Sequence, residues 1–461
     1  MAEAANNVST TRPWATYEPT EAAPWNRERV VHLHRRAAFA ATWAQIERDL
    51  ADGPDAAIGR LLTGQSRTDA APADFETMAA TIGDAAQASG SPLRLQAWWL
   101  YRMMFSPDPL TERLTLMWHN HFATSNRKVD DLSFMRQQNE IFRRHARAPF
   151  GELLVAAVRH PAMLVWLDAD ANRAGKPNEN LGRELLELFT LGIGNYGEDD
   201  VKAAAQALTG WTVADQMFRF AAARHDDGEI SLLGTRGRLS GDDLLSLLPQ
   251  RPATARRIAW RLCTVFFGEG VVDERSLAEL ANGLSERELD LNWAVETIVR
   301  SQLFFSPPNM RTRILGPIEF LVGAVHALGL QKPAPSTLLV AEWADRMGQE
   351  LFYPPNVGGW PEGQTWLGSK SVIARANFAA ALVDGRLWNP PSPPDLSHCL
   401  PADRLSGDSF SVVRALAELM WGAASADALE PALKAVAEKP RDERLRAAIH
   451  ALVTSPEAQL G

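Results

Sequence analysis

Cysteine, basic charge and long apolar runs are all scarce in this chain of 461 residues. Its 2 cysteines, Cys263 and Cys399, allow at most one disulfide bridge and exclude a disulfide framework or a cysteine zinc cluster. The formal net charge of −9 at pH 7 argues against a general nucleic-acid binder, which needs basic residues to displace phosphate counterions. No stretch reaches the roughly 20 apolar residues that a transmembrane helix needs. We therefore expect no nucleic acid as a partner and no membrane span.

A secretory signal and the common local enzyme signatures are also missing. Residues 1–30 lack the basic segment followed by an apolar one that marks a signal peptide. A cytoplasmic protein is therefore expected, unless a trimmed or misassigned start hides a signal peptide. The chain has no nucleotide-binding glycine loop, no nucleophile elbow and no HExxH motif. Cys263 lies among apolar residues, where the reactive thiolate is disfavoured.

Helical periodicity dominates what is present. With 46% hydrophobic and 22% charged residues, the composition is that of an ordinary globular protein. Apolar residues recur at three- and four-residue spacing in most segments, which predicts an all-α fold, a large multi-helix bundle. A small irregular or β-hairpin insertion is expected near 212–240, and a loop or insertion at 64–90, where Ala, Asp, Ser and Gly accumulate.

Composition shifts suggest three parts of the chain. Residues 1–26 are polar and predict a loose N-terminal arm. Residues 27–389 form the predicted main helical domain with a polar cleft. A proline-rich span at 390–401 opens the predicted C-terminal helical cap, residues 390–461, which is expected to pack on the main domain.

The stretch at 177–211, PNENLGRELLELFTLGIGNYGEDDVKAAAQALTGW, carries more polar groups than a core helix needs. Its leucines recur at helical spacing and predict a helix over 178–191. Glu184 and Glu187 lie three residues apart, which suits two carboxylates that act on one target as an acid/base pair. They are candidate catalytic residues, with Arg183 to orient or neutralise the base. Salt bridges on a helix surface would explain the same residues.

The start of this helix is unusually rich in hydrogen-bonding groups. A helix start needs only one side-chain cap, which Asn178 can provide. Glu179 and Asn180 exceed that need, so all three residues are candidate binding residues in a polar network. The alternative is a capped surface helix.

The motif WHNHF at 118–122 offers two histidines near a predicted helix end. Residues two apart on a helix point about 200° away from each other, so this pair can share a metal only where the helix stops. His119 is a candidate proton shuttle and catalytic residue, His121 a candidate metal ligand, and Asn120 a candidate binding residue. The alternative is that both histidines are hydrogen-bonded in a core.

Two loops complete the candidates. HDDG at 225–228 offers His225 and Asp226 for a divalent cation, against the alternative of a plain hairpin turn. In FYPPNVGGWPEGQTW at 352–366, Trp360 and Trp366 are expected to present ring faces to a sugar or another ring, with Asn356 giving direction. Core packing is the alternative for both tryptophans.

Taken together, these motifs carry a family likeness. They are, in chain order, HLHRRAAF, PLTERLTLMWHNHF, HPAMLVWLD, PNENLGRELLELFTLGIGNYGEDDV, ALTGW, HDDG and PPNVGGWPEG. From about residue 28 onward the chain resembles the bacterial family named domain of unknown function 1800. The resemblance implies a largely helical fold without an established activity. It also implies a periplasmic or secreted location as the alternative to the cytoplasm, and a sulfatase- or phosphatase-like protein encoded nearby as a partner.

Two classes of function follow from these residues. In the first, a polar cleft works by acid/base or metal-assisted hydrolysis or transfer on a glycan or another polymer, with an unidentified cofactor for which a divalent metal is the candidate. In the second, the same cleft belongs to a non-catalytic binding or assembly module that serves the partner protein. The sequence does not decide whether the protein is an enzyme.

Overall fold

The computed structural model describes residues 12–67, 72–423, 425–437 and 439–461. Within these ranges the chain forms 23 α-helices and two small antiparallel hairpins, which confirms the predicted all-α fold with a β insertion near 212–240. None of the helices in these ranges combines the length and the apolar character that crossing a membrane requires.

The helices before the insertion run from the N-terminal arm to the polar stretch at 177–211. They are α1 (Arg27–Ala37), α2 (Trp43–Asp52), α3 (Pro54–Leu62), α4 (Phe75–Ala88), α5 (Pro92–Phe105), α6 (Pro109–His121), α7 (Asn126–Val129), α8 (Leu132–Arg144), α9 (Phe150–Val158), α10 (Pro161–Trp166), α11 (Asn180–Glu184) and α12 (Glu198–Ala207). The helices after it are α13 (Gly241–Leu247), α14 (Pro252–Phe266), α15 (Glu274–Glu286), α16 (Leu291–Arg300), α17 (Pro317–Ala327), α18 (Thr337–Arg346), α19 (Ser369–Val383), α20 (Ala402–Leu405), α21 (Ser409–Trp421), α22 (Ala426–Ala437) and α23 (Arg441–Thr454).

The β insertion contains two hairpins rather than one. Strand β1 (Trp211–Ala214) pairs with β2 (Met217–Phe220), and β3 (Ile230–Leu232) pairs with β4 (Thr235–Gly237). Both connecting turns have two residues with positive φ, which is the backbone twist that suits a two-residue hairpin loop. The HDDG motif lies between the hairpins and forms neither turn.

The described part of the predicted N-terminal arm is docked on the helices. Trp14 donates from its indole nitrogen to the carbonyl of Ser276 at 2.8 Å, and the amide of Tyr17 donates to the carbonyl of Arg300 at 2.7 Å. Trp25 donates to the carbonyl of Asp49 at 2.9 Å. Residues 1–11 of the arm lie outside the described ranges.

The loop predicted at 64–90 is wrong for most of its length, because α4 occupies residues 75–88. Phe75, Ala79, Gly83 and Ala86 recur at helical spacing and are buried. They make a face of mostly small residues, and α4 packs on α5. A Cβ on Gly83 would lie 2.8 Å from the Arg136 guanidinium, so a larger residue there would displace that side chain. Residues 68–71 are not described.

The helix predicted over 178–191 changes its type part-way. After α11 the backbone continues as a π-helix at Leu185–Thr190, in which each turn holds an extra residue. The amide of Leu191 bonds to the carbonyl of Leu186, five residues back, at 2.9 Å. A π-helix depends on packing as well as on local spacing, so the leucine pattern alone predicted an ordinary helix.

Buried apolar side chains form two clusters that meet along α1 and α6. The first cluster takes residues from α5, α17 to α19 and the C-terminal helices, and the second from α9 to α16. Leu116 of α6 belongs to the first cluster, whereas Leu114 and Met117 belong to the second. The last turn of α6 therefore ends between the two apolar clusters, where polar groups collect.

Candidate functional site

Two adjoining cavities lie at this boundary, between the end of α6, one face of α14 and the loop at 356–363. The first chamber has a volume of about 80 Å³ and the second about 220 Å³. Both far exceed the roughly 15 Å³ that one water molecule needs. The residues that line both chambers are Asn120, Arg261, Glu269, Trp360 and Glu362. We call the two chambers together the double cavity.

A hydrogen-bonded frame around Glu362 forms the shared wall. Asn120 accepts from the backbone amide of Trp360 at 2.6 Å and donates to Oε1 of Glu362 at 3.0 Å. Arg261 donates to the same Oε1 at 2.7 Å. Oε2 of Glu362 has no hydrogen-bond partner among the residues that the structure describes. The frame thus fixes one carboxylate oxygen and leaves the other as a free acceptor.

Local backbone structure explains why these groups meet. Asp108 caps the start of helix α6, since its side chain accepts from the backbone amide of Thr111 at 3.0 Å. The helix ends directly after the WHNH sequence. Asn126 holds the facing loop, since its amide donates to the carbonyl of Phe352 at 2.9 Å. Gly359 has φ of +91° and lies so close that a Cβ there would be 2.2 Å from Oδ1 of Asn120. Only glycine allows this approach.

The first chamber is also lined by a buried ion cluster around Glu319. Arg113 donates to Oε1 of Glu319 at 2.6 Å, Arg313 bonds the same oxygen, and the amide of Gly316 donates to Oε2 at 2.8 Å. Burial raises the pKa of Glu319, but the two guanidinium groups outweigh it and lower that pKa to about 2. Burial, partly offset by Glu319, lowers the pKa of Arg113 to about 10. At neutral pH the cluster therefore holds two positive charges and one negative charge.

The second chamber is lined by two basic side chains that bond to the end of the π-helix. Nε2 of His121 lies 3.0 Å from the carbonyl oxygen of Phe189, and Nε of Arg257 donates to the carbonyl of Leu188 at 3.3 Å. Carbonyls at a helix end lack helical partners, so basic side chains can cap them. Burial, followed by the charges of Arg261 and Arg257, lowers the pKa of His121 well below its ordinary value. Its ring is neutral, with the proton on Nε2 and Nδ1 left as an acceptor.

His119, the predicted proton shuttle, lies beside the frame in an aromatic box. The rings of Trp99, Phe142, Phe352 and Trp360 surround it, with Trp360 stacked at a centroid distance of 5.5 Å. Neither ring nitrogen has a hydrogen-bond partner in the described part of the chain. Burial lowers its pKa to about 3. The predicted catalytic role of this neutral imidazole stays a prediction, since the box provides no group to exchange a proton with it.

The two histidines of α6 are expected to respond oppositely to replacement by phenylalanine. His119→Phe should leave the free energy of unfolding unchanged or raise it by about 1 kcal/mol, because it removes a buried polar group without a partner. His121→Phe should lower it by about 1–2 kcal/mol, because the bond to the carbonyl of Phe189 is lost. Urea denaturation of both variants checks this. A large loss of stability in His119→Phe alone would show that a partner of His119 had been missed.

The predicted tryptophans line the double cavity but do not offer open ring faces. Trp360 is only 3% exposed and Trp366 only 6%, and both belong to the first apolar cluster. One face of Trp360 is taken by His119. Asn356 accepts from the amide of Gly358 at 2.8 Å and shapes the loop. The structure therefore corrects the expectation of two aromatic platforms: the rings form an apolar rim beside the polar frame.

The predicted catalytic carboxylates belong to a neighbouring surface. Glu187 accepts from the hydroxyl of Tyr196 at 2.6 Å, and burial together with this bond raises the pKa of Tyr196 to about 12. Burial, and then the charge of Glu187, raises the pKa of Glu184. Arg183 donates to the carboxylates of Glu198 at 2.8 Å and Glu179 at 2.9 Å. The lining of the double cavity includes Leu188 from this segment but neither glutamate.

The predicted binding residues at the helix start are joined by local hydrogen bonds. Oδ1 of Asn178 accepts from the amide of Asn180 at 2.9 Å, and the amide of Asn178 donates to Asn172 at 2.9 Å. Glu179 pairs with Arg183 at 2.9 Å. These contacts are local to the start of the helix, and a role in ligand binding for the three residues stays a prediction.

The predicted metal ligands lie in two separate places. His225 contacts the carbonyl and hydroxyl oxygens of Thr209 at 3.0 Å each, and Asp226 accepts from Gln206 at 3.1 Å. His121 instead bonds to the π-helix. Across the described ranges no group of three His, Cys, Asp or Glu side chains could hold a metal ion. Metal binding by His121, His225 or Asp226 therefore stays a prediction.

Sequence reasoning missed the charged residues that define the site. Arg257 and Arg261 are four residues apart in ATARRIAWRL, on one face of a helix, and this spacing was a readable signal. Glu362 lies inside the quoted motif PPNVGGWPEG but was not singled out. Glu319 and Glu269 stand in ordinary apolar or glycine-rich surroundings and gave no local signal.

Two of the larger cavities elsewhere have a less specific chemistry. One of about 680 Å³ near α2 and α20 is lined mostly by apolar side chains together with the exposed His398. Another, of about 380 Å³, lies among α20 to α23. The double cavity differs because several buried charged groups converge on it, which is typical of functional sites.

The comparisons with known proteins identify a family without an activity. The family model described as "Protein of unknown function (DUF1800)" matches residues 32–460. The chain belongs to this family. No curated protein and no solved structure matches the chain. Membership in DUF1800 thus covers the double cavity and all the motifs above, and the function has to be argued from the geometry of the site.

Proposed function

We propose that this DUF1800 protein binds a polar, oxygen-rich ligand such as a glycan in the double cavity, with Glu362 as the central acceptor. The observation that carries this is the frame in which Asn120 and Arg261 hold Oε1 of Glu362 while Oε2 stays free. Sugar hydroxyls both donate and accept hydrogen bonds, so they match a free acceptor placed beside fixed donors. The buried tryptophans Trp360 and Trp366 add an apolar rim beside these polar groups in the first chamber.

Replacement of Glu362 by glutamine tests this directly. Glutamine keeps an oxygen for Asn120 and Arg261 and converts the free acceptor into an N–H donor. In calorimetric titrations of the full chain with cellotetraose, mannotetraose and galactotetraose, the wild type should bind at least one of them. Glu362→Gln should bind that sugar at least about tenfold more weakly, the size of one lost charge-assisted hydrogen bond.

The matched control removes one carboxylate from the surface. Glu279 pairs with Arg275 on an exposed part of α15, so Glu279→Gln should bind like the wild type. Equal affinity of Glu362→Gln and wild type, or no binding of any of the sugars, contradicts the proposal.

A second candidate function is hydrolysis or transfer by acid/base chemistry. Glu269 lines both chambers, and the described residues give it no hydrogen bond or ion pair, so two carboxylates border one space. A carboxylate held by Arg261 fits the role of base or nucleophile, and Glu269 is the second carboxylate that acid/base chemistry needs. Chromatography of the incubated sugars would show cleavage products that are absent with Glu362→Gln.

The nearby sulfatase- or phosphatase-like partner and the cellular compartment stay predictions, because no contact within the chain bears on them.

A further inference from the structure

The second chamber contains an arginine with no carboxylate partner. Arg257 and Arg261 both line it, four residues apart on α14. Arg261 pairs with Glu362 at 2.7 Å. Arg257 bonds through Nε to a backbone carbonyl, and its guanidinium carbon lies 4.7 Å from the centre of the Trp260 ring. Among the described residues no carboxylate forms an ion pair with it.

The neighbouring residue shows that this arrangement is not forced by the helix. Arg256 precedes Arg257 directly, points away from the chamber and pairs with Glu274. Like charges four residues apart on a helix destabilise it by a few tenths of a kcal/mol, and more where burial reduces screening by water. Arg257 and Arg261 are such a pair, and among the described residues only Arg261 has an ion-pair partner, Glu362. The bond to Leu188 and the contact with Trp260 hold the Arg257 side chain in place, but neither neutralises its charge, whereas an anionic ligand would.

Besides the two arginines, the polar lining of the second chamber consists of His121, Asn120 and the carboxylates Glu362 and Glu269. His121 adds no charge, because its ring is neutral. Its Nδ1 can accept a hydrogen bond from a hydroxyl of the ligand, but its lone pair would repel a bare oxyanion. The binding position for negative charge is therefore on the arginine side of the chamber, where a guanidinium group can hold two oxygens at once.

We propose that the second chamber is a subsite for an oxyanion on the sugar, a carboxylate or a sulfate ester, held by Arg257 with help from Arg261. This rests on the proposed function and names the class of ligand: an acidic glycan rather than a neutral one. Glu362 then binds hydroxyls of the sugar, and Arg257 selects for its charge.

The test compares each neutral tetrasaccharide named above with its C6-oxidised and its C6-sulfated derivative, titrated against the full chain. The wild type should bind one acidic derivative at least about tenfold more tightly than the neutral parent. Arg257→Gln should lose this preference and bind neutral and acidic forms within about threefold of each other. Arg256→Gln, which removes the same charge from the same helix outside the chamber, should keep the preference. The oxidised and sulfated arms distinguish the two sources of the oxyanion.

The outcomes separate this inference from the proposed function. If the wild type binds neutral and acidic sugars equally, or Arg257→Gln keeps the preference, the anion subsite is wrong although ligand binding at Glu362 stands. If no sugar binds in any form, both fail. Inorganic sulfate, titrated as a competitor, should weaken binding of the acidic sugar to the wild type and leave Arg257→Gln unaffected.

Discussion

The Glu319→Gln variant is expected to have a free energy of unfolding about 3–5 kcal/mol lower than that of the wild type, because it removes one partner from a buried ion cluster. Glu319 is 5% exposed and is the carboxylate that Arg113 and Arg313 share. Glutamine preserves its shape and one acceptor but removes the negative charge that the buried Arg113 and the half-buried Arg313 share. Urea denaturation at pH 7 measures the difference.

The same variant makes a prediction about pH. The folded-state pKa of Glu319 is lowered to about 2, whereas an unfolded glutamate titrates near 4.3. The stabilisation from its charge is therefore fully present above the unfolded pKa and is lost as the pH falls towards the folded pKa. The stability difference between wild type and Glu319→Gln should shrink between about pH 4.3 and pH 2.

A surface substitution is the control for this prediction. Glu279→Gln breaks an exposed ion pair and should change the unfolding free energy by less than about 0.5 kcal/mol. If Glu319→Gln behaves like this control at pH 7, the ion cluster does not support the wall of the first chamber as described.

The second large effect is expected from Gly359→Ala, which should destabilise the protein by about 3 kcal/mol. A positive φ costs an alanine about 1–2 kcal/mol, and the overpacked contact adds about 1–3 kcal/mol. The added Cβ would lie 2.2 Å from Oδ1 of Asn120 and 2.6 Å from its carbonyl oxygen. The carbonyl is fixed in α6, so the loop has to move and the bond from Trp360 to Asn120 breaks.

Gly363→Ala is a matched control in the same loop. Gly363 also has a positive φ, +60°, but the nearest heavy atom to an added Cβ is 3.8 Å away. It should therefore show only the backbone cost, about 1 kcal/mol. Thermal and urea unfolding of both variants check the difference. Equal destabilisation would mean that the close approach of the loop to Asn120 contributes nothing.

Local pattern predicted much of the fold, because helices and hairpins are specified by residues near each other in the chain. The insertion near 212–240 followed from aromatic residues around turns, and the structure has hairpins there. Helix α4 was missed because its buried face consists mostly of Ala and Gly, which resemble a loop by composition. The π-helix at Leu185–Thr190 was missed because its bonding depends on how the segment packs.

The site was harder to predict because its residues come from segments far apart in sequence. Asn120 and Trp360 were both predicted to bind a ligand, and the structure joins them by a hydrogen bond of 2.6 Å. Arg257, Arg261 and Glu362 have no shared local motif, so only folding shows that they face one space. In contrast, Glu184 and Glu187 formed a suggestive local pattern whose partners are the surrounding surface residues.

The most direct test compares the double cavity around Glu362 with the surface around Glu187, the site that the sequence suggested. It measures, by calorimetry, the affinity of Glu362→Gln and Glu187→Gln for the tetrasaccharide that the wild type binds most tightly. If the double cavity is the functional site, Glu362→Gln loses at least about tenfold in affinity while Glu187→Gln retains it. Loss of affinity in Glu187→Gln with Glu362→Gln unchanged would contradict the account and place the site beside Tyr196 instead.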